Sequence, residues 1–238
     1  MLSERTLSAV TSYWASHLGL PAASVFAEPR QVIKHGGERL GYQGIFALFR
    51  EDSAVLSFPP QYPKSIDLLM PMQSLTPNTL ANNFASASFK VIGPAYIGYA
   101  EAVPSATHSP RSLAASDADA ARALQTACSV EEWSHGGSNI SKQPTSGIFL
   151  GKELVSLAGY EIWGGNIAHI YVVTHPAFRG RGFGRDAVAY LAGRALAAGL
   201  IPQYRTLESN QPAMRLAKSL GFVHFATSVA IRLNSEEA

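Results

Sequence analysis

Between His175 and Val188 the chain reads HPAFRGRGFGRDAV, with glycine at 180, 182 and 184 and arginine at 179, 181 and 185. Upstream lies a dense run of β-branched and aromatic residues, Ile167 to Thr174. Downstream lies an Ala-rich segment of helical spacing, Arg185 to Ala198. A plain turn between strand and helix needs little glycine. Glycine at every second position opens backbone angles closed to other residues and lets a ligand come close to the main chain. The helix that follows begins with unpaired N–H groups and a partial positive charge. The stretch therefore predicts an anion cradle at a strand–turn–helix junction, suited to a phosphate or pyrophosphate. The helix dipole supplies at most ~2 kcal/mol, and each desolvated arginine adds roughly 1.5–3 kcal/mol.

Such a site has to be local, because the formal net charge is only +2. Bulk charge does not support general nucleic-acid binding. With 238 residues, 47% of them hydrophobic, the chain has material for one large domain or two small ones. One cysteine, Cys128, excludes an intramolecular disulfide and a cysteine-based zinc site; it reads as a small core residue. No metal site is expected, and a reducing, cytoplasmic setting fits. The start MLSERTLSAV shows no signal-peptide pattern, and no window approaches ~18 uninterrupted apolar residues, so no membrane partner is expected.

The first part opens with a helical pattern in which Leu7, Val10, Tyr13, Trp14 and Leu18 recur, stopped by Gly19 and Pro21. Two apolar runs around Glu51 and Asp52 predict a hairpin. LTPNTLANNF reads as a capped helix, and FKVIGPAYIGYAEA as two short strands broken at Gly93–Pro94. The Ser/Pro-rich stretch 103–112 reads as a linker. Beyond it, Ser116 is the expected cap of a helix, 151–153 a hairpin turn, and EEWSHGG (131–137) a loop. Ile167–Thr174, PQYRTLE and 223–233 read as strands, alternating with helices over 185–198 and 209–221. The last strand alternates strictly and predicts one half-buried face.

Among phosphate-binding patterns, a Walker loop needs Gly-Lys-Ser/Thr, which is missing. A dinucleotide fingerprint needs a third glycine where Arg185 stands. Arg179-Gly180-Arg181-Gly182-Phe183-Gly184 instead resembles the R/Q-x-x-G-x-G/A turn of the GNAT acetyltransferase superfamily. NQPAMRLAKSLGF resembles that family's later helix, with Asn210, the small Ala213 and a closing Gly221-Phe222. RSLAASDADAARAL resembles its opening strand and helix. The resemblance covers roughly 111–233. The N-terminal stretch resembles the companion half of bacterial two-part GNAT proteins.

The resemblance implies an α/β (α+β) fold: a mixed, mostly antiparallel sheet flanked by helices. It divides the chain into a smaller N-terminal α/β domain, 1–105, read as a degenerate GNAT-like half, and an acetyltransferase domain, 111–238. It implies acetyl-coenzyme A as cofactor, with its arm along Val172, Val173 and Thr174. Its pyrophosphate would lie on the turn from Arg179, Gly180, Arg181 and Gly182 to Phe183, Gly184 and Arg185. Asn210 and Ala213 would meet the cofactor from the later helix, and a backbone N–H near Val173 would polarise the acyl carbonyl. The acyl group would pass directly to a primary amine of a small molecule or peptide; a homodimer is compatible with this reading. His169, on the central strand, and Glu161, beside Tyr160 and Trp163, are the candidate bases. Trp133 and His135 are candidates for the acceptor pocket, and Trp133 reads equally as a core residue. Where many members carry a tyrosine acid, this chain has Ala217. The alternative is a non-catalytic acyl-coenzyme A-binding module.

Overall fold

The computed structural model describes residues 1–61 and 74–233. Helix α1 spans Glu4–Leu18; the Ser3 side chain accepts from the Thr6 N–H, and Gly19 closes the helix in the left-handed conformation. Its apolar stripe of Val10, Trp14 and Leu18 is wholly buried, at roughly 1.5–3 kcal/mol for a side chain of this size. Strand β1 is Arg30–Lys34, and β2 (Gly44–Arg50) and β3 (Ser53–Phe58) form the expected hairpin. Helix α2, Pro77–Ser86, starts from a capping box between Thr76 and Thr79.

The segment expected as two short strands is one, β4, Lys90–Tyr99, which runs through Gly93–Pro94. The break is absorbed as a bulge in β4 itself, where Gly93 and Pro94 lie opposite the single Val229 of the partner strand. A bulge of this kind accommodates a residue that cannot donate to the ladder.

The second half contributes β5 (Arg111–Ser112), α3 (Ala118–Ala127), α4 (Val130–Gly136), β6 (Thr145–Leu150), β7 (Glu153–Trp163) and β8 (Ile167–Thr174). It continues with α5 (Phe183–Ala197), β9 (Ile201–Leu207), α6 (Gln211–Ser219) and β10 (Val223–Arg232). Two local expectations change. The stretch 131–137 is helical: the Ser129 side chain accepts from the Glu132 N–H, and the Glu132 carboxylate accepts from the Ser129 N–H. That reciprocal cap stabilises a helix too short to show periodicity. Ahead of α3, Asp117 rather than Ser116 stands at the cap position, but its carboxylate makes no bond to the helix and instead accepts from the Ala114 N–H and pairs with Arg111.

The strands form a single sheet in the order β1-β3-β2-β10-β4-β9-β8-β7-β6-β5. The β1–β3 and β8–β9 pairs are parallel and the other described pairs antiparallel. Strands from the two halves of the chain interleave: β4 lies between β9 and β10, and β10 lies between β4 and β2. This explains why β10 is not half-exposed as its alternation predicts. Ala226, Thr227 and Ser228 are buried along with Phe225, Val229 and Ile231, because the strand is interior to the sheet and covered on both faces.

Helix α5 covers one face, packing Phe183, Val188 and Leu191 against Val155, Ala168 and Ile170. The other face is covered by α1, over Ile97, Ile167 and Phe225, and by α3, whose Leu124 meets Leu157 and Val173. Strand β8 thus feeds both cores, its successive residues pointing to opposite sides.

Candidate active site

The central feature is a gap in the sheet. Strands β8 and β9 pair from Ile167 opposite Ile201 to Ile170 opposite Tyr204. Beyond that point β8 stays with β7 as far as Thr174, and β9 stays with β4 as far as Leu207. The two strands therefore splay, and each presents a free backbone edge to the opening.

Ladder parity decides which groups line it. The His175 N–H donates to the directly opposite Val155 carbonyl at 2.9 Å, and hydrogen-bonded pairs recur every second residue in an antiparallel ladder. The N–H of Val173, opposite Leu157, is therefore committed to β7. Val172 turns its N–H and carbonyl to the gap. The donor expected near Val173 lies one residue earlier, and Val173 itself packs its side chain under α3. The end of α4 also reaches this edge: Gly136 is buried, and a Cβ there would overlap the Val172 carbonyl oxygen.

The gap leads to the glycine–arginine turn. Gly180 and Gly182 adopt φ of 77° and 85°, the left-handed region that favours glycine. Gly182 caps α5 with no side-chain hydrogen bond. Among the described residues, the N–H groups of Phe183, Gly184 and Arg185 find no acceptor. Nothing lies within 4 Å of a Cβ built on Gly180, so the turn is open at that residue. Gly184 has a separate reason to be glycine: its Cβ would stand 2.8 Å from Thr174 Oγ1, and α5 starts this close to the end of β8.

The three arginines have different employment. Arg179 donates from Nε to the Thr174 carbonyl at 3.1 Å and pairs with Glu132 of α4 at 2.7 Å. Arg185 bonds Asp186 at 2.6 Å. Arg181 lies over the Phe178 ring, 5.4 Å from its centre, with no carboxylate partner among the described residues. Arg181 is thus the cation left for an incoming anion.

The stretch expected as a linker is fastened to the same helix. The buried Asp186 carboxylate accepts from the Thr107 and His108 N–H groups at 2.8 Å each and meets His108 Nδ1 at 2.8 Å. Burial pushes this acid up, but the donors of His108 and Thr107 and the Arg185 guanidinium outweigh it and hold it below the usual carboxylate range. The His108 ring packs on Phe183 at 4.5 Å, beside Gly182.

On α6 the Asn210 side chain accepts from the Ala213 N–H at 3.2 Å, capping the helix. Ala213 packs against the core under α5, and Ala217 is fully buried in it with Leu220 and Phe222. A side chain at 217 points into the core.

The face of the sheet under α1 and α3 carries the polar groups. Glu161 stands opposite His169, and His169 stands opposite Gln203, making one row across β7, β8 and β9. The Glu161 carboxylate accepts from Gln143 at 2.7 Å, Tyr171 at 2.9 Å and Trp163 at 3.3 Å. His169 is sandwiched by Trp163 at 3.8 Å and edged by Tyr171 at 4.6 Å. Its Nδ1 lies 2.9 Å from Gln203 Oε1, an acceptor, so Nδ1 carries the proton and Nε2 the lone pair. Burial and the Arg205 charge push its pKa down to about 3. The ring is therefore held neutral at neutral pH, stacked on Trp163 with Nδ1 committed to Gln203. Trp133 is half-buried and packs against the cluster that α3 covers, and His135 is exposed at the end of α4.

Tyr171, Gln203 and Arg205 were not singled out from sequence. Strand parity places them beside Glu161 and His169, but only once the pairing of β7, β8 and β9 is known. A hollow of about 520 Å³ lined by Arg111, Asp117, Phe149 and Lys152 lies near β5 and α3 and holds none of these groups.

Comparison with known proteins places this architecture. Residues 117–222 match the acetyltransferase (GNAT) family, and that segment is a GNAT acetyltransferase domain. Among solved structures, a GNAT-family protein from Novosphingobium aromaticivorans is 26% identical, over 60% of this chain and 66% of that one, with a TM-score of 0.47. A GCN5-related N-acetyltransferase-like protein from Streptococcus suis is 17% identical, over 79% and 83% of the two chains, also with a TM-score of 0.47. An aminoglycoside N-acetyltransferase, AAC(6')-Iy in complex with CoA, is 13% identical over 48% of this chain and 91% of that one, with a TM-score of 0.37. The chain thus spans just under two thirds of the Novosphingobium protein. No curated protein matches it. Among the described residues no helix is long and apolar enough to cross a membrane, and no cluster of ligating side chains could hold a metal ion.

Proposed function

We propose that the protein is an acetyl-coenzyme A-dependent N-acetyltransferase that passes its acyl group directly to a primary amine. The observation that carries this reading is the continuity between the splayed β8–β9 edge and the uncapped start of α5. The fit to the cofactor is chemical: unpaired main-chain N–H groups and the free Arg181 suit a pyrophosphate, and an unpaired strand edge suits the amide-bearing arm. When bound, acetyl-coenzyme A supplies an acyl group already activated as a thioester.

The chain's own residues do the rest. The Val172 N–H is placed on the gap side of β8, able to donate to an acyl oxygen as negative charge develops there. Glu161 receives the proton of the acceptor ammonium, directly or through water, with Tyr171 and Gln143 orienting its carboxylate. His169, neutral and wedged against Trp163, holds Gln203 and the acceptor face in register. Catalysis is assigned to 111–238, with 1–105 completing the sheet. A cytoplasmic setting suits an enzyme with this cofactor and a single thiol.

The burial of Ala217 favours a second reading, a binding module without turnover, since no tyrosine acid stands there. A thiol's ordinary pKa of ~8.5 permits departure as thiolate, so the missing acid does not bar transfer. Calorimetry with coenzyme A, paired with thiol release over an amine panel, separates the two. The wild type is expected to bind, and Gly182→Asp to lose at least tenfold in affinity through repulsion at the cradle. Unchanged affinity in Gly182→Asp would refute the cradle; binding with no thiol release from any amine would leave the module.

A further inference from the structure

We propose that Arg205 anchors a carboxylate on the acceptor, so that the amine modified here is one that also bears an acid group, as amino acids do. This rests on the N-acetyltransferase reading and concerns the acceptor end of the same gap.

Arg205 is the first residue of β9 beyond its last partner in β8, two residues on from Gln203 and hence on the same face. Its guanidinium carbon lies 6.0 Å from the ring centre of Trp14 and 5.9 Å from that of Trp163. Its hydrogen bond is to the Ser228 hydroxyl at 3.3 Å. No carboxylate among the described residues pairs with it, whereas Arg111, Arg122, Arg179 and Arg185 each have one. The side chain is only partly exposed, and its electrostatic neighbours are the hydroxyls of Tyr13, Tyr99 and Tyr171.

A second guanidinium deepens the imbalance. Arg39 sits 3.4 Å over the Phe46 ring and donates to His17 Nε2 at 3.1 Å, again without a carboxylate partner among the described residues. Burial, with Arg205 among the neighbouring charges, pushes it down to about 10. Unpaired cations held among aromatic rings are costly, and the cost is recovered when an anion joins them. A planar guanidinium fork near aromatic rings matches a carboxylate in shape and charge.

The opposite charge needed for an amine is also present. Glu161 lies two strands away on β7, on the same face, with Tyr171 of β8 between them. Neighbouring strands are about 4.8 Å apart, so Glu161 and Arg205 stand on the order of 10 Å apart on one face with β8 between them, one suited to the ammonium and one to the acid. The pyrophosphate cradle lies past Thr174, beyond the end of β8, whereas Arg205 is level with the middle of β8 on the face away from α5, so the two anion sites are distinct.

The test pairs the common L-amino acids with their own primary amides. Binding without cofactor is read by fluorescence of Trp14 and Trp163 and by thermal shift; transfer is read by thiol release with acetyl-coenzyme A. At least one amino acid is expected to bind and react at least tenfold better than its amide. In Arg205→Gln that ratio should collapse to about one through a rise in KM, and Arg205→Lys should restore part of it. Coenzyme A affinity and the far-ultraviolet spectrum serve as folding controls. Amides that match their acids, or an acid-to-amide ratio that survives Arg205→Gln, would overturn the anchor. Acid-selective binding with no thiol release would uphold the anchor and instead refute the transferase reading.

Discussion

The buried histidine shows how far environment can redirect a residue whose type invites a catalytic role. An imidazole on the central strand of a transferase domain reads naturally as a base, and nothing in the sequence says that Trp163 will stack on it or that the Gln203 side-chain oxygen will accept from its Nδ1–H. Its lowered pKa has a measurable consequence. The unfolded ring titrates near 6.5 and the folded one near 3, so between those values the unfolded state binds the extra proton. Stability therefore falls as pH drops below 6.5, by about 1.4 kcal/mol per pH unit from this site, and is unaffected above it. Unfolding free energies from urea titrations at pH 7.5 and 5.0 should separate by about 2 kcal/mol more in the wild type than in His169→Gln. His17, His35 and His224, also held below their usual value mainly by burial, remain in both proteins and cancel in the comparison. Equal separations would show that His169 is protonated in the fold.

At the scale of elements, the junction of β8 and α5 was the most legible part of the chain. Glycine spacing, flanking arginines and the abrupt change of period are all local signals, and each describes what the backbone does there. The strap over α5 was not legible, because a Ser/Pro-rich segment carries no mark of where it docks; that information sits in Asp186, far along the chain. Helix α4 was hidden for the opposite reason, its cap being encoded but its length too short for periodicity. The strap makes a prediction of its own. Asp186→Ala leaves the Thr107 and His108 N–H groups without their acceptor, at about 1–3 kcal/mol for buried donors. The melting temperature should fall, 103–110 should become the preferred site of limited proteolysis, and coenzyme A affinity should weaken because His108 and Phe183 brace the turn. Unaltered proteolysis would show that the segment is held elsewhere.

For the whole molecule, the element order of the second half follows from alternation and turn chemistry, but the shared sheet does not. Nothing in residues 90–99 specifies that they lie between β9 and β10, since strand pairing at long range leaves no signature in a single sequence. The alternation of β10 pointed to a half-exposed strand for the same reason, its neighbours in the sheet being distant in the chain. Interleaving implies that residues 106–238 alone lack the strand that joins β9 to β10. The fragment is expected to be unfolded or aggregated by circular dichroism and light scattering, and co-expression with 1–105 should recover a soluble, coenzyme A-binding complex. A monomeric fragment that binds coenzyme A like the full chain would contradict this.

The placement of β4 also has a consequence in time. A ribosome releases this strand long before either of its partners, and both edges of it must wait, unbonded, while the remaining helices and strands are made. Strand edges kept open in this way are prone to pair wrongly. Synthesis of this protein should therefore lean on chaperones that shield nascent strands, and the cofactor can meet a complete gap only after the last strand has left the exit tunnel.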